Sequence, residues 1–152
     1  MAAKNFATAL AFTLSFEGGW ADNPYDPGGA TMRGVTLRTF RRYHPGASAW
    51  NLRNAPINAF ETIYRKEYWE KIGADALPPG VDLMAFDIGV NMGVGRIAPW
   101  LRQTANLGPV ERIHALGVRR VGFWRSLRIF RKFGTGWLRR EAGCLKASMA
   151  LT

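Results

Sequence analysis

Residues 17–36, EGGWADNPYDPGGATMRGVT, hold five glycines and two prolines. No helix crosses such a stretch, because proline removes a backbone donor and fixes φ, while glycine loses the most backbone entropy on ordering. Asn23-Pro24, Asp26-Pro27 and Gly28-Gly29 each mark a change of direction. The segment is therefore a turn or short hairpin. The rest of the chain has to be read as elements that start and stop around it.

Those elements are helical by period. Phe6, Ala9, Leu10, Thr13, Leu14 and Glu17 fall on neighbouring helical steps over residues 4–17, and Gly18-Gly19 ends the run. Thr36 is placed to N-cap a short helix through Tyr43, closed by His44-Pro45-Gly46. Pro56 sits in the first turn of a longer helix to Ile72, with Ile57, Phe60, Ile63, Tyr64 and Tyr68 on its apolar face. LPPG at 77–80 is a break; VDLMAFDIGVNMG reads as a buried helix and RIAPWLRQTANLG as another. Asn106 to Pro109 is a loop, and Val110 to Ala150 reads as two helices parted near KFGTGW. Little alternates with period two, so the expected fold is mainly α with one small irregular or β element at residues 20–35.

At 152 residues, 47% of them hydrophobic and with six Trp and nine Phe, the chain has material for one domain with a real core. Cys144 stands alone and makes no intrachain disulfide, and with only His44 and His114 beside it a dedicated metal site is not expected. No apolar run approaches the roughly 18 residues a bilayer span needs. The stretch MAAKNFATALAFTLSFEGG superficially resembles a signal peptide but lacks a small-residue cleavage site, and cleavage there would remove Glu17. The expectation is a mature helix, with synthesis in the cytoplasm.

Charge divides the chain. Residues 1–95 carry nine basic and nine acidic side chains; residues 96–152 carry twelve basic and two acidic, which accounts for the net +10. Arg119, Arg120, Arg125, Arg128, Arg131, Lys132, Arg139 and Arg140 interleave with Phe123, Trp124, Phe130, Phe133 and Trp137. For the aromatics a packed core is the simpler reading. The one-sided sign of the arginines points to an anionic partner: nucleic acid, lipid head groups or an acidic wall polymer. A boundary falls near NLGP, giving a first part of residues 1–107 and a basic helical part of 108–152 packed on it.

Glu17 lies where a helix meets the glycine-rich turn. Phe12, Phe16 and Trp20 are near in sequence and can shield it, favouring the protonated form that a general acid for glycosidic cleavage needs. A hairpin would bring Asp26 and Thr31 back towards it to hold a water. The same spacing also suits Asp22 and Asp26 as turn caps. Asp87 and Asn91, four apart, share a helix face; the residues alone favour Asn91 as a helix-end cap before Gly93. Tyr64, Tyr68 and Trp69 suit a core, with at most one of Tyr68 and Trp69 facing a groove, and Trp20 is the better stacking platform.

FEGGWADNPYDPGGATMRGVT resembles the signature of the glycoside hydrolase family 108 muramidases, whose hallmark is Glu-Gly-Gly-Tyr; Trp20 takes the place of the Tyr. IYRKEYWEKI and FDIGVNMGVGRIAPWLRQ are similar to the family's next blocks, and FWRSLRIFRKFGTGWLRRE to the small peptidoglycan-binding module that follows. The order Glu, Asp, Thr also resembles that of T4-type phage lysozymes, with one residue fewer between Asp26 and Thr31. The resemblance implies a lysozyme-like α+β fold and hydrolysis of the β-1,4 bond between N-acetylmuramic acid and N-acetylglucosamine. It makes Glu17 the general acid, Asp26 a base or electrostatic partner, and Thr31 the residue that orients water. Trp20, Asn91 and Tyr68 become substrate contacts, with Asp87 structural. It implies no metal or organic cofactor. The protein expected is a monomeric endolysin, made without a signal peptide, reaching peptidoglycan in the periplasm through a holin or cell lysis and held by the anionic envelope. The alternatives are a non-enzymatic cationic envelope- or membrane-binding protein and a nucleic-acid binder, for which no base-reading motif is present.

Overall fold

The computed structural model describes residues 5–25, 27 and 29–152. Among these, the elements in order are α1 (Asn5–Leu14), β1 (Thr31–Met32), β2 (Val35–Thr36), α2 (Leu37–Tyr43), α3 (Ala49–Arg53), α4 (Ile57–Tyr64), α5 (Val81–Met92), α6 (Val94–Gln103), α7 (Pro109–Arg125) and α8 (Phe130–Met149). The mainly helical expectation holds, with one small two-stranded antiparallel sheet.

The centre is α5, whose residues Val81 to Gly89 are all buried, so it is enclosed around its whole circumference rather than on one stripe, and apolar there except for Asp82 and Asp87. Helices α1, α6, α7 and α8 pack around it. From α1 it receives Phe6, Ala9, Leu10 and Thr13, the residues that the period puts on one face. Phe6, Trp69 and Phe86 meet edge-on with centroids 5.3–5.9 Å apart, a geometry worth about 0.5–1.5 kcal/mol per pair beyond area burial.

The turn segment folds as a hairpin. Thr31 pairs with Thr36 and Met32 with Val35, and the two loop residues have positive φ, 50° at Arg33 and 78° at Gly34. Two successive left-handed residues make the primed turn whose twist matches antiparallel strands. Thr31 also exchanges both backbone hydrogen bonds with Ala21, at 2.7 and 2.9 Å, which ties the outgoing loop to the hairpin. Thr36 then caps α2, its hydroxyl accepting from the Thr39 amide.

Three features depart from the expectations. Helix α3 is new: Ser48 and Asn51 form a reciprocal capping box, which the sequence hides because Asn stands where Glu or Gln usually signals one. The long helix from Pro56 is not uniform, since α4 passes into a π-helical turn at Arg65–Trp69, where the Tyr64 and Tyr68 rings stack 5.6 Å apart. The last two helices do not part at KFGTGW, which lies inside α8; the chain reverses at Ser126–Ile129. Gly134 serves packing rather than termination, because a Cβ there would stand 2.8 Å from the Phe130 ring.

Candidate active site

Glu17 follows the frayed end of α1, where the Glu17 amide still donates to the Leu14 carbonyl at 3.3 Å. Its side chain is 21% exposed. One wall is the hairpin turn: a Cβ on Gly34 would lie 2.9 Å from Glu17 Oε2 and 2.6 Å from the Tyr64 hydroxyl. Only glycine allows that approach, and only glycine takes its φ without strain. The Tyr64 hydroxyl donates to the Arg33 carbonyl at 2.5 Å and so fastens the turn from below.

The opposite wall comes from the far end of the chain. Arg140, on α8, donates from Nη1 and Nη2 to Glu17 Oε1, both at 3.3 Å. Its shorter bond, 2.8 Å, goes to Asp87 Oδ1. Asp87 is completely buried; it also accepts from the Thr13 hydroxyl at 2.9 Å and from Arg120 at 2.6 Å. Arg120 reaches on to Glu141 at 2.6 Å. The series Glu17–Arg140–Asp87–Arg120–Glu141 thus alternates in sign and carries one more negative than positive charge.

Its energetics follow from distance. Charge-assisted N–H···O bonds are strongest near 2.7–2.9 Å, so Arg140 is committed to Asp87 and only loosely to Glu17. Burial alone would raise the Asp87 carboxyl, but the Arg120 and Arg140 guanidiniums outweigh it and hold the group below its ordinary value. Burial raises Glu141 against the pull of Arg120. Burial, and after it the Glu17 charge, pushes the Tyr64 and Tyr68 hydroxyls up. The aromatic shield expected around Glu17 is therefore replaced on one side by a guanidinium: Phe16 packs on Phe12 at 5.2 Å, and Arg140 lies 5.4 Å over its ring.

The other sequence candidates are placed as follows. Asp26 lies outside the described residues. Thr31 is half-buried at the start of the hairpin. Tyr68 is half-buried and stacked on Tyr64, on the Glu17 side. Trp20 is half-buried with the Arg53 guanidinium 5.4 Å over its ring, so one face of the indole is occupied. Asn91, one turn after Asp87, has a buried Oδ1 with no hydrogen-bond partner among the described residues. It lines a groove of about 330 Å³ with Arg96, Phe123, Trp124 and Trp137, and the walls of that groove do not include Glu17. No cluster of three His, Cys, Asp or Glu suited to a metal occurs among the described residues.

Two arginines correct the sequence reading. Arg120 and Arg140 are interior groups bonded to carboxylates, together with Arg112, which donates to the Thr104 hydroxyl and the Leu101 carbonyl. They are not part of a surface for an anionic partner. Asp87 was the available signal, since a carboxylate on an otherwise apolar helix needs a buried cation, but nothing local says which one.

The family model described as Glycosyl hydrolase 108 matches residues 10–93, from within α1 through the end of α5. No curated protein matches the chain. A solved structure of SagA from Brucella abortus is similar over 98% of this chain and 96% of its own, with a TM-score of 0.82 and 28% identity. That likeness extends over α7 and α8, which the family model does not reach. Because the matched model covers more than half of the chain, the protein belongs to glycosyl hydrolase family 108 and is a glycoside hydrolase, not a non-enzymatic binder.

Proposed function

We propose that this chain is a muramidase that cleaves the β-1,4 bond between N-acetylmuramic acid and N-acetylglucosamine in peptidoglycan, with Glu17 as general acid. The observation that carries the reading is a part-exposed carboxylate held on both sides, by the Gly34 turn and by Arg140, with one of its oxygens left to the turn side. A general acid has to meet the glycosidic oxygen within hydrogen-bond reach. Arg140 faces one carboxylate oxygen through two long contacts while spending its stronger bond on Asp87. Thr31, at the start of the hairpin, is the proposed water-orienting residue and Asp26 its partner. Tyr68 and Trp20 offer ring faces to the sugar. The groove of Asn91, Arg96, Phe123, Trp124 and Trp137 offers an amide and indoles to a neighbouring part of the polymer, which makes residues 108–152 a wall-binding part as well as a structural one.

The role that suits such an enzyme is that of an endolysin, made in the cytoplasm and reaching the periplasmic wall once a holin or lysis opens the way. Co-expression with a pore-forming protein is then expected to lyse cells that tolerate the enzyme alone.

The direct test is release of reducing ends from purified peptidoglycan. Wild type is expected to expose reducing muramic acid. Glu17→Gln is expected to lose at least about a hundredfold, the scale of an absent general acid, with an unchanged melting temperature. Release by Glu17→Gln at the wild-type rate would overturn the assignment of the acid, and reducing glucosamine ends would overturn the bond.

A further inference from the structure

The turn joining α7 to α8 borders the Asn91–Trp137 groove through Leu127 and Ile129, and its outer side carries a surface for which the proposed hydrolysis has no use. Ile129 and Phe133 are 53% and 45% exposed there, and Arg125, Arg128, Arg131 and Lys132 stand exposed around them. None of these four cations has a salt-bridge partner among the described residues, and the sequence has no acidic residue between Arg112 and Arg140. The apolar part is braced from within: Trp124, Phe130 and Phe133 all lie against Trp137, with centroids 5.6–6.2 Å apart. The tip is thus a firm apolar point inside a ring of cations.

A sugar polymer is a poor fit for this tip. Ile129 also lines the rim of the groove assigned above to the polymer, but pyranoses are held by flat aromatic faces and paired polar groups, and the outer side of the tip, an exposed Ile129 among cations, offers neither. An anionic bilayer uses everything present: guanidinium and ammonium groups meet lipid phosphates, and Ile129 and Phe133 enter the head-group boundary. No helix among the described residues is long and apolar enough to cross a membrane; the contact considered is with the bilayer surface. We propose that the α7–α8 tip docks the enzyme on an anionic phospholipid surface.

Docking does not depend on hydrolysis, so Glu17→Gln protein is expected to bind vesicles as wild type does. The experiment is co-sedimentation with vesicles of phosphatidylglycerol and phosphatidylcholine, with pure phosphatidylcholine vesicles and purified peptidoglycan sacculi as parallel arms. Wild type is expected on the anionic vesicles, much less on the zwitterionic ones, and less with added salt. The pair Arg128→Gln and Arg131→Gln is expected to weaken vesicle binding about 30-fold, the product of two surface cations. Phe133→Ser is expected to weaken it at unchanged charge. Both variants should keep their melting temperature and their binding to sacculi. Vesicle binding unaltered in both variants, or equal on the two kinds of vesicle, would overturn the proposal. Loss of sacculus binding with vesicle binding intact would reassign the tip to the wall polymer.

Discussion

Single residues around Glu17 matter through contacts that have little freedom. Gly34 takes a φ of 78° and leaves 2.9 Å between its missing Cβ and Glu17 Oε2. Gly34→Ala is expected to cost about 1–2 kcal/mol from the left-handed backbone alone. It is also expected to lower peptidoglycan hydrolysis about a hundredfold, the scale on which a displacement of about 1 Å acts. Rate and chemical denaturation measured on the same preparation separate the two effects. Asp87 is the structural counterpart. Asp87→Asn leaves Arg120 and Arg140 inside without their shared counter-charge, and about 3–5 kcal/mol of stability is expected to go. Its pH signature has a definite sign. With the folded carboxyl below its ordinary 3.8, the unfolded chain binds more protons through that window. Stability is complete above it and falls as pH drops through the folded value. Melting temperatures followed from about pH 5 to about pH 2 should fall steeply for wild type and less so for Asp87→Asn. Asp82, raised by burial, acts with the opposite sign in both proteins and so cancels in the comparison.

At the scale of elements, the contact of α7 with α8 is set by a small residue against a charged one. A Cβ on Gly117 would run into Glu141 Oε1, the carboxylate that receives Arg120. Gly117→Ala is expected to cost about 1–3 kcal/mol as an overpacking change and to loosen the Arg120–Glu141 bond. Repeating it in a Glu141→Ala background removes the obstacle, so the penalty should shrink. Equal penalties in the two backgrounds, read from urea midpoints, would mean that the helices do not meet as described. Elements are also where local sequence rules worked best. The cap at Thr36, the close at His44 and the break at LPPG are all decided within a few residues, and the structure has each of them. They worked less well where glycine serves packing instead of termination, as at Gly134 in α8, and where a capping box carries Asn51 at its far corner.

The whole molecule is held by charges that bridge its two halves. Arg120 and Arg140 come from the basic C-terminal stretch, yet each is spent on a carboxylate inside. A fragment ending at residue 107 would keep Asp87 buried with neither guanidinium. It is expected to show no cooperative thermal unfolding and no hydrolysis, whereas a wall-binding appendage could be removed with the fold intact. Calorimetry of residues 1–107 against the full chain decides between the two, and a folded, active fragment would refute the coupling.

What the sequence by itself determined was local: the turn from Glu17 to Thr36, the helical periods on either side of it, and the cap of α2. Each follows from φ preferences, missing donors and a period of 3.6, which act over a few neighbouring residues. What only the tertiary structure decided was which distant groups share a space. Arg140 meets Glu17 across 123 residues of chain and Asp87 across 53, and Gly34 closes against Tyr64 and Glu17 at once. No spacing rule announces such meetings, because a buried carboxylate demands a cation without naming one. The choice among the twelve basic residues of the C-terminal stretch fell to how α7 and α8 dock on α5.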